Sequence, residues 1–177
     1  MSYLRKQPAT VEHSYAQRVS GQQTPATVAL RRAGVAFTVH EYSHVAGTTR
    51  YGEEAVAALG VAAARVFKTL VVRVDERLAV GIVPVSATLD LKALAAAVGG
   101  KRAALAEPAE AARATGYVIG GISPVAQRRR LPTALDRSAA DCDTVYVSAG
   151  RRGLQVELAP ADLLRVTGGV LAAIAGH

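Results

Sequence analysis

His40 and His44 stand four residues apart in HEYSH with Glu41 between them, the H-E-x-x-H pattern of zinc hydrolases. That pattern binds metal on a helix, where residues i and i+4 share one face roughly 6 Å apart. Here the histidines follow VAFTVHEY, in which Val35, Phe37 and Val39 alternate with Thr38, His40 and Tyr42. Alternation is the period of a strand. An extended chain separates residues four apart by about 13 Å, too far to share one zinc ion. The other histidines are His13 and His177. No metal and no other cofactor is expected.

Two further side chains are candidate nucleophiles. Ser123 lies in G-I-S-P-V, where Val125 occupies the last glycine of a G-x-S-x-G elbow, and no partner base is nearby. It reads as a hydrogen-bonding loop residue. Cys142 lies between Asp141 and Asp143, whose charges oppose a thiolate, and reads as a turn residue.

Lys68 has a different character. In VFKTLVVRV it alternates onto one strand face with Val66, Leu70, Val72 and Val74. A lysine there must snorkel past the strand end or hold an anion at a pocket rim, and both readings stand. Gly120-Gly121 invites a similar pair of readings. Adjacent glycines bring backbone amides close to an anion or a carbonyl oxygen, or they merely redirect the chain.

Half of the 177 residues are hydrophobic, and the net charge is +7. This suits one compact domain. No apolar run approaches the ~20 residues of a membrane helix, and the N-terminal stretch has no secretory h-region. With Cys142 as the lone cysteine, a reducing cytoplasm is expected. The charge comes in blocks: Arg31-Arg32, Lys101-Arg102, Arg128-Arg129-Arg130 and Arg151-Arg152. Such blocks suit a phosphate-bearing partner or a solvated surface.

The elements that must position these residues follow from local signals. Residues 1–23 are polar and aperiodic and read as a mobile extension, leaving 24–177 as the domain. Thr24-Pro25 caps a helix that stops at Gly34, ahead of the alternating strand. A helix over YGEEAVAALG ends at Gly60. VFKTLVVRV and LAVGIVPV form a hairpin around the three residues Asp75-Glu76-Arg77. Thr88 caps a helix over LDLKALAAAVGG, then a brief strand at 103–106 and a helix over PAEAARATG lead to YVIGG, a β-like run broken at its glycines. TVYVSAG and GLQVELA form a second hairpin, and an apolar helix from Pro160 closes the chain. The expected fold is α/β of the α+β kind, a mixed sheet or partial barrel with short helices around it.

In this order, TPATVALRRAGVAFTVHEYSH, VFKTLVV, LAVGIVPV, LDLKALAAAVG, TGYVIGGISPVAQRRRLPT and YVSAGRRGLQVEL resemble the YbaK/EbsC family. These are free-standing aminoacyl-tRNA deacylases related to the editing domain of bacterial prolyl-tRNA synthetase. The matches span residues 24 to 175.

The resemblance implies hydrolysis of a mischarged tRNA, most typically cysteine on proline tRNA, with prolyl-tRNA synthetase a candidate second partner. It implies a mechanism without metal, in which the substrate's own thiol attacks the ester carbonyl. Lys68 and Gly120 fall at the family's catalytic positions, Lys68 toward the terminal adenosine or its phosphate. Gly120 and Gly121 form the glycine loop, with Ser123 fixing it. Tyr42 and Thr69 fall at pocket-lining positions and Tyr51 where a ring meets adenine. Arg128, Arg129, Arg130, Arg151 and Arg152 would engage tRNA phosphates. Gln155 stands where some members carry aspartate, leaving amino-acid specificity open. Other readings are an Ala-tRNA(Pro) deacylase, a tRNA- or synthetase-binding module without turnover, and a small-molecule hydrolase using Ser123.

Overall fold

The computed structural model describes residues 22–176, so the expected extension lies outside the described residues except for Gln22 and Gln23. Helix α1 (Pro25–Arg32) forms where its caps demand it. The Thr24 hydroxyl accepts from the Thr27 amide, the Thr27 hydroxyl answers the Thr24 amide, and Pro25 sits in the first turn. Strand β1 (Phe37–Glu41) follows. Helix α2 (Tyr51–Leu59) places Glu53 and Glu54 at its positive end and stops at Gly60 in the left-handed conformation.

Strands β2 (Phe67–Val74) and β3 (Arg77–Pro84) pair antiparallel from Phe67↔Pro84 to Val74↔Arg77. Arg77 already belongs to the ladder, so the turn has two residues and not the expected three. Asp75 takes it with φ 49°, and its carboxylate accepts from the amides of Lys101 and Arg102, each at 3.0 Å. A short β4 (Thr88–Leu89) precedes α3 (Leu91–Ala97). The α3 cap is Asp90, not Thr88: its carboxylate accepts from the Ala93 amide at 2.9 Å. Thr88 instead pairs with Gly176.

Strand β5 (Ala103–Leu105), helix α4 (Pro108–Thr115), β6 (Thr133–Asp136), β7 (Val145–Ser148) and β8 (Leu154–Leu158) complete the middle of the chain. The run Tyr117–Gly121 forms no strand. Val118 and Ile119 are exposed and no strand pairs with the run among the described residues, while the buried Tyr117 hydroxyl donates to the Val125 carbonyl at 2.7 Å. The final helix α5 (Pro160–Thr167) ends at left-handed Gly168. The chain then returns as β9 (Val170–Ala172) and β10 (Ala175–Gly176), where a longer helix was expected.

The strands make a five-stranded sheet, β5-β2-β3-β6-β9, a three-stranded sheet, β1-β8-β7, and the small β10-β4 pair. The larger sheet is mixed, since β3–β6 and β6–β9 are parallel. These sheets form no closed barrel among the described residues. The main core fills the space between the two sheets, where Phe67, Val71, Val80 and Ile82 meet Val147, Leu154 and Val156. A second core lies on the far face of the larger sheet, where Val72, Val74, Ala79 and Val83 meet Leu94. Burial on both faces explains why β3 is almost continuously apolar. Asp136, 3% exposed, ties the last strands down by accepting from the Ile174 and Ala175 amides at 2.9 and 2.8 Å.

Candidate active site

One edge of β2 is incompletely paired, and this gap makes the site. β5 covers that edge from Val72 to Val74, and the Ala106 amide reaches the Val71 carbonyl at 3.0 Å. At the other end a single bridge joins Tyr146 of β7 to Val66, the residue just before β2. Between these contacts opens a cavity of about 350 Å³, walled by the start of α2, the Gly120 loop and the ends of β7 and β8. Lys68 and Thr69 both border it although they point to opposite faces of β2, because the cavity wraps around the open edge.

Lys68 is half-buried, and its side chain makes no hydrogen bond or ion pair with any described residue. Two polar atoms in the lining are buried without a partner, Thr69 Oγ1 and Gln155 Oε1. A buried polar atom left without a partner costs free energy. Gln155 also meets the Tyr42 hydroxyl. Burial raises the Tyr42 pKa, and the Gln155 hydrogen bond opposes that rise. Tyr42 itself does not border the cavity and acts behind Gln155.

The two glycines differ in role. Gly120 borders the cavity with φ 85°, and Tyr51 lies against its α-carbon. The Gly121 amide is committed to the Val118 carbonyl at 2.9 Å. A side chain at Gly121 would meet the Arg151–Arg152 backbone at 2.8 Å, so this glycine lets two loops touch. Ser123 is fully buried away from the cavity lining. Its hydroxyl accepts from the Val125 amide at 3.2 Å, and its carbonyl accepts from the Gln127 side chain at 3.0 Å.

Tyr51 borders the cavity with one ring face under the Arg152 guanidinium, 5.2 Å from the ring centroid. Arg152 Nε donates to the Ile119 carbonyl at 2.9 Å, and Arg151 pairs with Glu41 at 2.7 Å. These two arginines therefore flank the Gly120 loop. Arg129 and Arg130 border a separate cavity of about 200 Å³ that shares no lining residue with the first, and Arg128 packs against Gly116. The arginine blocks form two surfaces.

The histidines of H-E-x-x-H part company. His40 pairs with Glu157 and His44 with Glu54, each at 2.8 Å. Glu54 also accepts from the Val45 amide at 2.6 Å, and this bond, followed by His44, holds its carboxyl below the usual range. Residues 42–50 are thereby fastened to α2 at the cavity wall. Sequence reasoning assigned no role to Glu53 or Ser148, which also line the cavity. Ser148 stands opposite Gln155 in the β7–β8 ladder, and its only advance signal was its place in YVSAG.

Comparison with known proteins places this geometry. EbsC of Enterococcus faecalis, a proposed Cys-tRNA(Pro)/Cys-tRNA(Cys) deacylase, is 38% identical over 136 residues, 76% of this chain and 83% of that protein. A multifunctional Ser/Thr-tRNA deacylase of Escherichia coli K12, ProXp-y, is 38% identical over 78 residues, 44% of this chain and 47% of its own. The crystal structure of a proposed trans-editing enzyme for prolyl tRNA synthetase superposes with a TM-score of 0.76 at 28% identity, covering 88% of this chain and 99% of that one. Residues 47–166, which hold every wall of the cavity, match the aminoacyl-tRNA editing domain model, and the chain belongs to that family.

Proposed function

We propose that this protein is a free-standing deacylase that removes cysteine from proline tRNA in the cytoplasm. The observation carrying the reading is the meeting of unpartnered Lys68, Gly120 and two orphaned hydrogen-bonding atoms in one cavity of a chain from the editing family. Lys68 is assigned to the terminal adenosine or its phosphate. The Gly120 amide is assigned to the ester carbonyl, where charge develops.

The bond changes need no protein nucleophile. The cysteine sulfur attacks its own ester carbonyl, and the bond to the ribose oxygen breaks. The thiol proton passes to that oxygen, leaving tRNA with a free hydroxyl and a cysteine thiolactone. The protein's contribution is orientation and charge stabilisation. Burial of Ser123 outside the lining supports this over the serine-hydrolase alternative.

Deacylation of Cys-, Ala- and Pro-charged proline tRNA and of Cys-charged cysteine tRNA by catalytic amounts of protein tests the reading. Fastest turnover is expected on Cys-charged proline tRNA, with the Pro-charged form spared. Clearance only in proportion to protein added would mean a binding module instead, and fastest loss of alanine would move the substrate. Prolyl-tRNA synthetase is the proposed second partner, tested by whether adding it raises the rate on proline tRNA.

A further inference from the structure

We infer that Arg65 and Glu157 are a positioning pair that fixes where Lys68 stands in the cavity. This deepens the deacylase reading and, for its effect on rate, rests on it.

The pair belongs to a polar cluster on the outer face of the three-stranded sheet. Tyr146 stands opposite Glu157 and Ser148 opposite Gln155, so these four share one face. Ser148 and Gln155 line the cavity, and the cluster begins about 7 Å along each strand from them. Arg65 Nη2 donates to the Thr144 hydroxyl at 2.6 Å and to Glu157 at 3.3 Å. Its Nε and Nη2 also reach the Thr144 carbonyl, each at 3.3 Å, and the guanidinium lies over the Tyr146 ring, 5.1 Å from the centroid. Glu157 accepts from the Thr144 hydroxyl at 2.6 Å and from the Tyr146 hydroxyl, and bonds His40 at 2.8 Å. The Thr144 bond above all holds its carboxyl below the usual range, although burial opposes this.

This cluster sits where the chain enters β2. Val66, next to Arg65, makes the bridge to Tyr146, and Lys68 follows two residues later. Among the described residues no other ladder or bridge ties this end of β2 to the smaller sheet. One bridge alone specifies register weakly. An ion pair with side chains 38% and 22% exposed adds little net stability. Fixing register is the best-attested use of ionic groups set into a fold. Register is what the cavity needs, since a slip between Val66 and Tyr146 would carry Lys68 past Ser148 and Gln155. Arginine suits the task because its planar fork serves Thr144 and Glu157 together, which a single ammonium does not.

The experiment takes Arg65→Ala, Arg65→Lys and Glu157→Gln, each alone and combined with Lys68→Ala. Asp136→Asn, outside the cavity lining, controls for lost stability. One readout is kinetics on Cys-charged proline tRNA. The other is the rate of reductive methylation of Lys68 against exposed Lys92 and Lys101, followed by peptide mass spectrometry. Arg65→Ala and Glu157→Gln should lower kcat about tenfold and leave KM within about twofold, because misplacement slows the reaction without removing a tRNA contact. Arg65→Lys should fall between them and wild type. On the Lys68→Ala background each change should cost less than about twofold more, since its effect passes through Lys68. Lys68 methylation should change severalfold in the single variants while Lys92 and Lys101 hold steady, and Asp136→Asn should alter none of the three. Additive losses, a raised KM with kcat unchanged, or a Lys68 response shared by Asp136→Asn would each overturn the pair's role while the deacylase reading stands. A wild type that clears no charged tRNA would sink the deacylase reading. The pair is then decided by methylation: a response confined to Lys68 keeps it, and none removes it.

Discussion

The ring of Tyr51 lies so close to Gly120 that a β-carbon there would fall 2.5 Å from Tyr51 Cε1. With Gly120 at φ 85°, a side chain is opposed twice, by the ring and by the backbone. Gly120→Ala should lower stability by about 1–3 kcal/mol in urea unfolding and slow deacylation more than the stability loss explains. Tyr51→Ala in the same chain should recover part of the stability but not the rate. Additive stability effects would mean that the two residues do not press on each other.

Lys68 has no described partner, so removing its charge leaves no other ion stranded. Lys68→Ala should keep the melting temperature near wild type and reduce kcat/KM on Cys-charged proline tRNA by about 100-fold or more. A fully active variant would refute its assigned role.

Ser123 holds its loop through Val125 and Gln127. Ser123→Ala should cost about 1 kcal/mol of stability. Its effect on rate should be far smaller than that of Lys68→Ala, and mass spectrometry should trap no acyl-enzyme on the wild type. A covalent adduct on Ser123 would restore the serine-hydrolase reading.

The two arginine surfaces should separate in salt titrations. Replacing Arg129 and Arg130 by alanine should weaken tRNA binding across all charged forms and flatten the salt dependence by about one unit of slope per lost contact. Arg152→Ala should also lower turnover, because Arg152 braces Tyr51 and the Ile119 carbonyl. Identical behaviour of the two sets would argue for one continuous surface.

Burial by itself would raise the Asp136 pKa, but hydrogen bonds from Ser138, Ile174 and Ala175 outweigh it and hold the pKa below the ordinary value. The carboxylate's contribution to stability is therefore complete above the unfolded value near 4 and declines as pH falls through the lower, folded value. Wild-type stability should drop on acidification below about pH 4, and Asp136→Asn should be weaker at pH 7 with a shallower acid response. A parallel response in both proteins would show that other carboxylates govern acid unfolding.

Local physics determined the elements from the sequence alone. Thr24 and Pro25 start a helix, Gly60 and Gly116 stop two others, and the alternation in VFKTLVVRV and LAVGIVPV makes a hairpin, because each signal is completed within a few residues. Lys68 and Gly120 were singled out by motif order and residue type, and the structure brings both to one cavity. Tertiary structure decided what those residues face. Thr69 and Gln155 lie far apart in the chain and share a cavity because β7 bridges the chain only at Val66, just before β2, and β5 joins β2 only from Val72. Tyr117–Gly121 has strand-like composition but no neighbouring strand to complete its hydrogen bonds. Asp90 displaced Thr88 as a helix cap because Thr88 pairs with a strand at the far end of the chain. The arginine blocks, alike in sequence, were divided between two surfaces by the turns that carry them. Pairing across long loops depends on which edges other segments leave open, and that is a property of the assembled fold.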